Sequence, residues 1–580
     1  MDMIKLTIND IEVEVPKGTT VLDAAKKVNA HIPTLCHMNL EGFGIVNQVA
    51  SCRVCMVEVE GRPALVPSCS EMVTEGMVVR TDSPRAISAR RISVELLLSN
   101  HPKDCLTCAK NLECELQSLA QELGVREIHW EGDMMNYPLD ASSLSLVKDP
   151  NKCVMCRRCE TMCNDVQTCG ILSGLNRGFD AFVGPAFNLP MSETSCTYCG
   201  QCVAVCPTAA LTEVNNTKKV WSAITNPNKH VVVQVAPAIR VAIGEMFGME
   251  PGAITTGQLA ASLRRMGFDA VFDTDWAADL TIMEEASELV HRIENKGTLP
   301  ILTSCCPAWV KFFEHQFPDL LDIPSSCKSP QIMLGAMAKS YYADKVGIKP
   351  EDITVVSIMP CLAKKAEAAR SELTKDENQN VDVVVTTREF GAMLKEAGID
   401  FASLPESDFD SLLGESTGAG VIFGATGGVI EAAVRTAAEW ITGEEINEVD
   451  YHALRGLDGI REATVKIGDM DINIGIAHGL GNARRMLEDI KSGKSKYHAI
   501  EIMACPGGCI GGGGQPYHHG DMEIIRKRAE AIYKEDAMKT RRKSHENPMI
   551  KKIYEEYLGK PYGDRAHELL HTHYVAKDKI

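Results

Sequence analysis

Eight cysteines fall into two copies of one spacing. Cys153, Cys156, Cys159 and Cys163 read C-x2-C-x2-C-x3-C, and Cys196, Cys199, Cys202 and Cys206 repeat it, with Pro207 behind the second copy. Thiolates at that spacing wrap [4Fe–4S] clusters, and the fourth of each run serves the other cluster. One cluster then takes Cys153, Cys156, Cys159 and Cys206. The other takes Cys196, Cys199, Cys202 and Cys163. Asn164 stands where a proline often follows the first run.

Two further sets precede this pair. Cys36, Cys52, Cys55 and Cys69 place a C-x2-C core between two distant cysteines. That is the arrangement of plant-type [2Fe–2S] ferredoxins, with a longer spacing before Cys52 than the usual C-x4-C. The surrounding run at 51–59, Ser-Cys-Arg-Val-Cys-Met-Val-Glu-Val, supports it. His101, Cys105, Cys108 and Cys114 offer one imidazole and three thiolates, a set that suits zinc and a [4Fe–4S] cluster equally. Its place between sets suited to iron–sulfur clusters favours the cluster. A neutral imidazole in place of a thiolate removes one negative charge and raises the potential.

Seven cysteines remain: Cys169, Cys305, Cys306, Cys327, Cys361, Cys505 and Cys509. Cys305 and Cys306 follow an apolar run at 299–302. Cys361 follows a strand pattern at 355–358 and precedes Lys364. Cys505 and Cys509 follow a strand pattern at 499–503 and lead into a glycine run at 511–514. Cysteines just past strand ends in an α/β domain converge on one crevice. Glycines there let the backbone approach a bulky inorganic group. Cys169 and Cys327 lack such a setting and read as structural thiols.

The elements that must position these residues change character along the chain. At 580 residues it exceeds one core. The start alternates like a strand, with a hairpin turn at Asn9-Asp10, a helix at 20–29 and a strand at 56–59. Segments 90–99 and 113–123 carry helical periodicity, and 126–150 is irregular. From about 230, buried-strand runs at 231–235, 299–302, 355–358, 383–386 and 499–503 alternate with helices, one expected at 239–246. That pattern implies an α/β domain with largely parallel sheets. The tail from about 521 reads as polar and helical.

The net charge of −18 argues against a nucleic-acid role and reads mainly as solubility. No secretory leader pattern and no run of about 18 apolar residues is present. With 22 cysteines, metal ligation in the cytoplasm is then favoured over disulfides. The glycines at Gly418, Gly420, Gly424, Gly427 and Gly428 do not form a nucleotide-binding fingerprint. His518, His519, His571 and His573 read as surface or packing histidines, and Trp276 and Trp309 as core.

The motifs at 303–307, 359–365 and 503–509 resemble the signatures of [FeFe]-hydrogenases. The N-terminal cysteine sets resemble the longer, multi-cluster members of that family. Over essentially the whole chain, the likeness is nearest to catalytic subunits of NAD(P)-linked multisubunit hydrogenases, some of which bifurcate electrons. Stretches 149–170 and 474–481 carry that closer likeness. The resemblance implies an H-cluster: a [4Fe–4S] subcluster on Cys306, Cys361, Cys505 and Cys509, bridged by Cys509 to a di-iron unit with CO, cyanide and a dithiolate bearing an amine. It implies that Lys364 donates to a cyanide, a charge-assisted contact. Pro237, Ala238 and Gln331 would line the diatomic ligands, with Met359 and Met503 as soft packing. Some relatives carry Ser at the position of Ala238.

The resemblance also implies a proton route from Cys305 through Glu285, Ser325 and Glu288, with Arg292 near its mouth. Glu285 and Glu288 are three apart and share a helix face. Taken alone, such a pair is better read as a solvated charged face. Only the family likeness makes them proton carriers.

The implied fold is multidomain α+β and α/β. A β-grasp [2Fe–2S] ferredoxin-like domain spans 1–80. A helical [4Fe–4S] domain, ligated by one histidine and three cysteines, spans 81–125, and a two-[4Fe–4S] bacterial-ferredoxin-like domain spans 126–215. A large two-lobed α/β H-cluster domain spans 216–580. The implied activity interconverts H2 with protons and electrons, passing electrons through one [2Fe–2S] and three accessory [4Fe–4S] clusters. Implied partners are an NAD(P)-binding flavoprotein, a small [2Fe–2S] subunit, ferredoxin and maturation proteins, with neither nucleic acid nor a membrane span. The rival readings are a stand-alone ferredoxin hydrogenase and a non-catalytic electron-transfer subunit of an NADH dehydrogenase-like complex. An iron–sulfur assembly protein or sensory relative is a third.

Overall fold

The computed structural model of the chain describes residues 2–40, 45, 47–375 and 378–579. The chain forms two compact units. The first holds Met1–Asp165, Gly170–Thr194 and Val205–Thr212; the second holds Val166–Cys169, Ser195–Ala204 and Glu213–Ile580.

In the first unit, Met3–Ile8 pairs antiparallel with Ile11–Pro16. Asn9 and Asp10 both have positive φ, 47° and 67°, as a tight hairpin of this kind demands. Met3–Ile8 also pairs parallel with Val78–Arg80, and the sheet continues through Met56–Val59 to Val66–Pro67. The helix Val21–Lys27 is capped by the Thr20 side chain, which accepts from the Asp23 N–H. It buries Val21, Leu22, Ala24 and Ala25 against Ile8, Val57 and Val79. The next helix starts earlier than periodicity alone indicates, at Pro84, because Ser83 caps it and Pro84 suits the first helical position.

Among the described residues, the second unit carries two four-stranded sheets. The first is wholly parallel, in the order Ala270–Asp273, His230–Val235, Ile353–Met359, Val383–Thr386. Burial on both faces explains why His230–Val235 is almost all valine. Its one polar interior residue, Gln234, is fully enclosed; it donates to the Gln331 carbonyl at 2.9 Å and accepts from Thr274 at 3.0 Å. The second sheet runs Ile301–Leu302, Ala499–Met503, Met470–His478, Ile460–Ile467. Its first two pairings are parallel, and its last is an antiparallel hairpin that the sequence reading does not contain.

Two expectations are corrected. Segment 239–246 is not an α-helix but two 3-10 turns, Pro237–Ile239 and Ile243–Phe247. The Arg240 carbonyl accepts from both the N–H and the hydroxyl of Thr255, each at 2.9 Å, and so leaves the helical ladder. The run at 299–302 yields a strand only at Ile301–Leu302, since Pro300 has no N–H to give a ladder. The glycines around 420 pack helices: a Cβ on Gly420 would stand 2.3 Å from the Asp275 carbonyl oxygen on the helix Thr274–Glu294. Trp276 and Trp309 are fully buried. Among the described residues, no helix is long and apolar enough to cross a membrane.

Candidate active site

The carboxyl ends of four parallel strands meet in the second unit. Pro237 follows His230–Val235, Cys305 and Cys306 follow Ile301–Leu302, Cys361 follows Ile353–Met359, and Cys505 follows Ala499–Met503. Together with Cys509 they wall a cavity of about 710 Å³, which Gln331, Met359, Lys364 and Met503 also line. Ala238 is fully buried just behind the wall, and its carbonyl accepts from Gln515 at 2.9 Å.

The chemistry of this wall fits a metal cluster. All the cysteines are free thiols. Burial pushes Cys306, Cys361 and Cys505 up, and Cys509 up to about 12. Such thiols stay protonated unless a strongly cationic group compensates their charge. The Gln331 side-chain oxygen is buried with no protein partner, while its nitrogen donates to Glu367 at 3.1 Å. Lys364 donates to Glu367 at 2.9 Å and to the Cys305 carbonyl at 3.1 Å. Burial opposes its charge, but Glu367 outweighs burial and holds the ammonium above its ordinary range.

Cys305 is half-buried with its open side on the cavity. Burial, then the neighbouring Glu285, raise its thiol well above the usual range. Glu285 is only 5% exposed; burial, then the Glu288 carboxylate, push it up to about 7. The Ser304 N–H and hydroxyl reach it at 3.4 and 3.5 Å. Ser325 partly offsets the rise at Glu285, and its hydroxyl donates to Glu288 at 3.1 Å. Arg292 closes the run with a 2.6 Å ion pair to Glu288. The reading of Glu285 and Glu288 as a solvated face is therefore wrong: both are buried.

The other cysteine sets lie as follows. In the first unit, thiol–thiol contacts join Cys36 to Cys52 and Cys69, and Cys55 to Cys69. Asn47 pins the loop by donating to the Cys36 carbonyl at 2.7 Å. Cys153, Cys156, Cys159 and Cys206 line one cavity of about 400 Å³. Cys163 is also in this unit, where burial raises its thiol. His101 is buried, and burial, aided by Lys152, lowers it to about 4, which keeps the imidazole neutral as a ligand must be. Lys152 also reaches the Cys108 sulfur at 3.7 Å; Cys105 is exposed and Cys114 half-buried. Cys196, Cys199 and Cys202 belong to the second unit.

Several supporting residues were not read from the sequence. Glu367 stands three residues after Lys364 on one short helix, a spacing that could have signalled the pair. Gln167 had no such signal; it bridges the Ala504 carbonyl and the Leu480 N–H, both at 2.9 Å.

Parallel strands that end in a four-thiol cavity, together with further cysteine sets spaced for iron–sulfur clusters, define a redox metalloenzyme. Family profiles agree along the chain. "Iron only hydrogenase large subunit, C-terminal domain" matches 229–513, and "Iron hydrogenase small subunit" matches 522–577. A 2Fe-2S cluster-binding domain matches 1–84, the NADH-ubiquinone oxidoreductase-G iron–sulfur region 90–129, and a 4Fe-4S binding domain 190–212. The chain is 58% identical over its full length to the full-length "NADP-reducing hydrogenase subunit HndD" of Solidesulfovibrio fructosivorans. It is 39% identical to "Iron hydrogenase 1" of Clostridium pasteurianum, covering 99% of this chain and all of that one. A solved [FeFe]-hydrogenase HydA1 from Chlamydomonas reinhardtii superposes with TM-score 0.57 at 46% identity, over 63% of this chain and 99% of that one. The chain belongs to the [FeFe]-hydrogenases. It is a hydrogenase with iron–sulfur domains beside its H-cluster domain.

Proposed function

We propose that this chain is the catalytic subunit of an NAD(P)-linked hydrogenase complex and that Cys306, Cys361, Cys505 and Cys509 hold its H-cluster, with Cys509 as the bridge. The observation that carries the proposal is a single apolar cavity walled by these four free thiols, with Cys305 beside them and Glu285 behind it. When bound, the H-cluster supplies an open iron site and an amine base for splitting or forming H2. The protein supplies geometry, dryness and two wires.

On this reading Cys305 exchanges protons with the site, and Glu285, Ser325 and Glu288 carry them toward Arg292. Lys364 fixes and neutralises an anionic ligand from one side, while Pro237, Ala238, Gln331, Met359 and Met503 pack the others. The remaining cysteine sets and His101 would hold one [2Fe–2S] and three accessory [4Fe–4S] clusters, which would supply the electron path. HndD is described as one subunit of a NADP-reducing hydrogenase. That likeness supports a multisubunit NADP-linked complex here, and the family resemblance adds a flavoprotein that binds NAD(P), a small [2Fe–2S] subunit and ferredoxin as the electron partners. The free thiols suit a reducing cytoplasm.

Infrared spectra of the matured protein test the site: CO and cyanide stretches are expected, and their absence after full maturation would favour a pure electron carrier. Cys305→Ser and Glu285→Gln should each cut H2 turnover by about 10²–10⁴-fold with iron content unchanged. Normal turnover in both would remove the proton route. Purification from the native host tests the complex. A lone polypeptide fully active with ferredoxin would replace it with the stand-alone enzyme.

A further inference from the structure

Three residues that directly adjoin cluster-type cysteines in the sequence meet within the first unit. His37 follows Cys36, Glu115 follows Cys114, and Arg158 precedes Cys159. Arg158 opens the four-residue helix Arg158–Thr161. Its Nη1 donates to Glu115 Oε1 at 2.7 Å. Its Nη2 donates to Glu115 Oε2 at 2.9 Å and to the His37 carbonyl at 3.0 Å. The Glu115 N–H in turn donates at 3.0 Å to the carbonyl of Pro207, which follows Cys206. Lys110, buried in the loop between Cys108 and Cys114, donates to the Cys206 carbonyl. The cysteine sets that begin at Cys36, His101 and Cys153 thus share one polar joint.

The joint is set in apolar surroundings. Cys36, Cys52 and Cys156 fall in one hydrophobic cluster with Val94, Leu116 and Leu119. The Arg158 side chain is 4% exposed and that of Glu115 24%. A guanidinium does not give up its proton in a protein, so this charge is permanent. Burial opposes it, but Glu115, helped by Cys156 and Cys206, outweighs burial. In the other direction, burial and then Cys206 push the Cys156 thiol up, and Arg158 offsets part of that rise. Cys156 and Cys206 both line the cavity of about 400 Å³.

We propose that Arg158 is a positioning residue of the electron route: its clamped charge raises the reduction potential of the [4Fe–4S] cluster that Cys153, Cys156, Cys159 and Cys206 would hold. The proposal rests on the reading of those four cysteines as one ligand set. Reduction adds one electron to a cluster, and a fixed cation nearby favours the reduced form. No bond forms and no proton moves in that equilibrium. Water and salt screen an exposed charge, and burial among apolar side chains protects this one. Glu115 acts with the opposite sign, and its greater exposure leaves it the more screened of the two. The joint therefore favours an electron on the Cys153 set, which adjoins both of the others. A lysine could keep the charge but not the fork that grips both oxygens of Glu115 and the His37 carbonyl.

The test is an EPR-monitored redox titration of the full matured chain, with Cys156→Ser marking the signal that belongs to this set. Arg158→Gln should lower the midpoint of that signal by about 59 mV or more, a tenfold change in a one-electron equilibrium. Glu115→Gln keeps an acceptor for the fork but removes its negative charge, so it should raise the same midpoint. Arg158→Lys keeps the charge and should stay nearer the unaltered protein than Arg158→Gln does. Opposite shifts from the two partners of one ion pair separate tuning from a merely structural role, because loosening the joint from either side would move the midpoint the same way. Glu115→Gln decides the matter even where Arg158→Gln does not fold. If Cys156→Ser removes one signal and neither Gln variant moves its midpoint, or both move it in one direction, the ligand set stands and the tuning role is wrong. If Cys156→Ser leaves every [4Fe–4S] signal in place, the ligand set itself fails, and the tuning role with it.

Discussion

Glu285 owes its behaviour to place. Burial in the middle of the helix Thr274–Glu294, then the charge on Glu288, move its carboxyl up to about 7. It is neutral below that pH and charged above it, which suits a group that must both take and give a proton near neutrality. A protonated-carboxyl infrared band absent from Glu285→Gln should therefore titrate with a midpoint near pH 7; a midpoint in the usual carboxylate range would refute the burial account. The sign carries over to stability. The raised value means that Glu285 favours the fold most below about pH 4.5, and that this contribution is lost as pH climbs through about 7. None of this was legible in the sequence. Three-residue spacing showed that Glu285 and Glu288 share a face, but not that the face is interior. The partners that make the helix's buried acids tolerable arrive from far along the chain: Ser544 and Asn547 donate to Asp279, and Tyr554 and His571 meet Glu284. The convergence of Cys306, Cys361 and Cys505 on one cavity was legible because each stands just past a strand end, a local pattern.

At the scale of elements, sequence reading succeeded where one force dominates. The valine run at His230–Val235 is a strand buried on both faces, and Val383–Thr386 passes into a helix through a capping box of Thr386 and Glu389. It failed where a distant contact decides. The turn at Arg240 replaces an expected helix because its guanidinium joins Asp273 at 2.7 Å, Asp275 at 3.0 Å and Glu535 at 3.3 Å, all buried. The hairpin of Ile460–Ile467 and Met470–His478 escaped because its first strand is largely polar and its second is interrupted by Gly475. The Arg240 cluster ties the strand end Asp273, the helix start Asp275 and the helix Met522–Met538 to the cavity wall, since Arg240 also donates to the Pro237 carbonyl at 3.0 Å. Removing a buried cation strands its carboxylates, at a cost of about 3–5 kcal/mol. Arg240→Met should lower the thermal midpoint of the apoprotein by about 4–6 °C. A change within a degree or two would mean that the carboxylates simply protonate.

On the scale of the whole molecule, the question is whether the cysteine sets before residue 215 serve the cavity as a wire or are needed to build it. One close approach within the second unit makes the distinction measurable. Cys199 and Gly200 lie on the short segment Ser195–Ala204 that belongs to this unit. They pack on Gly513, next to cavity-lining Gly512; a Cβ on Gly513 would stand 2.6 Å from the Gly200 carbonyl carbon and 2.7 Å from the Cys199 oxygen. Both are backbone atoms and cannot rotate away, so Gly513→Ala must push the segment off the cavity floor. If Cys199 holds the last cluster before the H-cluster, electron transfer slows as the gap widens, while proton handling at Cys305 does not. H2/D2 exchange, which needs the site and its protons but no wire, should persist in Gly513→Ala. Dye- or ferredoxin-linked turnover should fall by about tenfold or more. Equal loss of both activities would show that the packing shapes the site itself. Full retention of both would show that electrons do not depend on this contact.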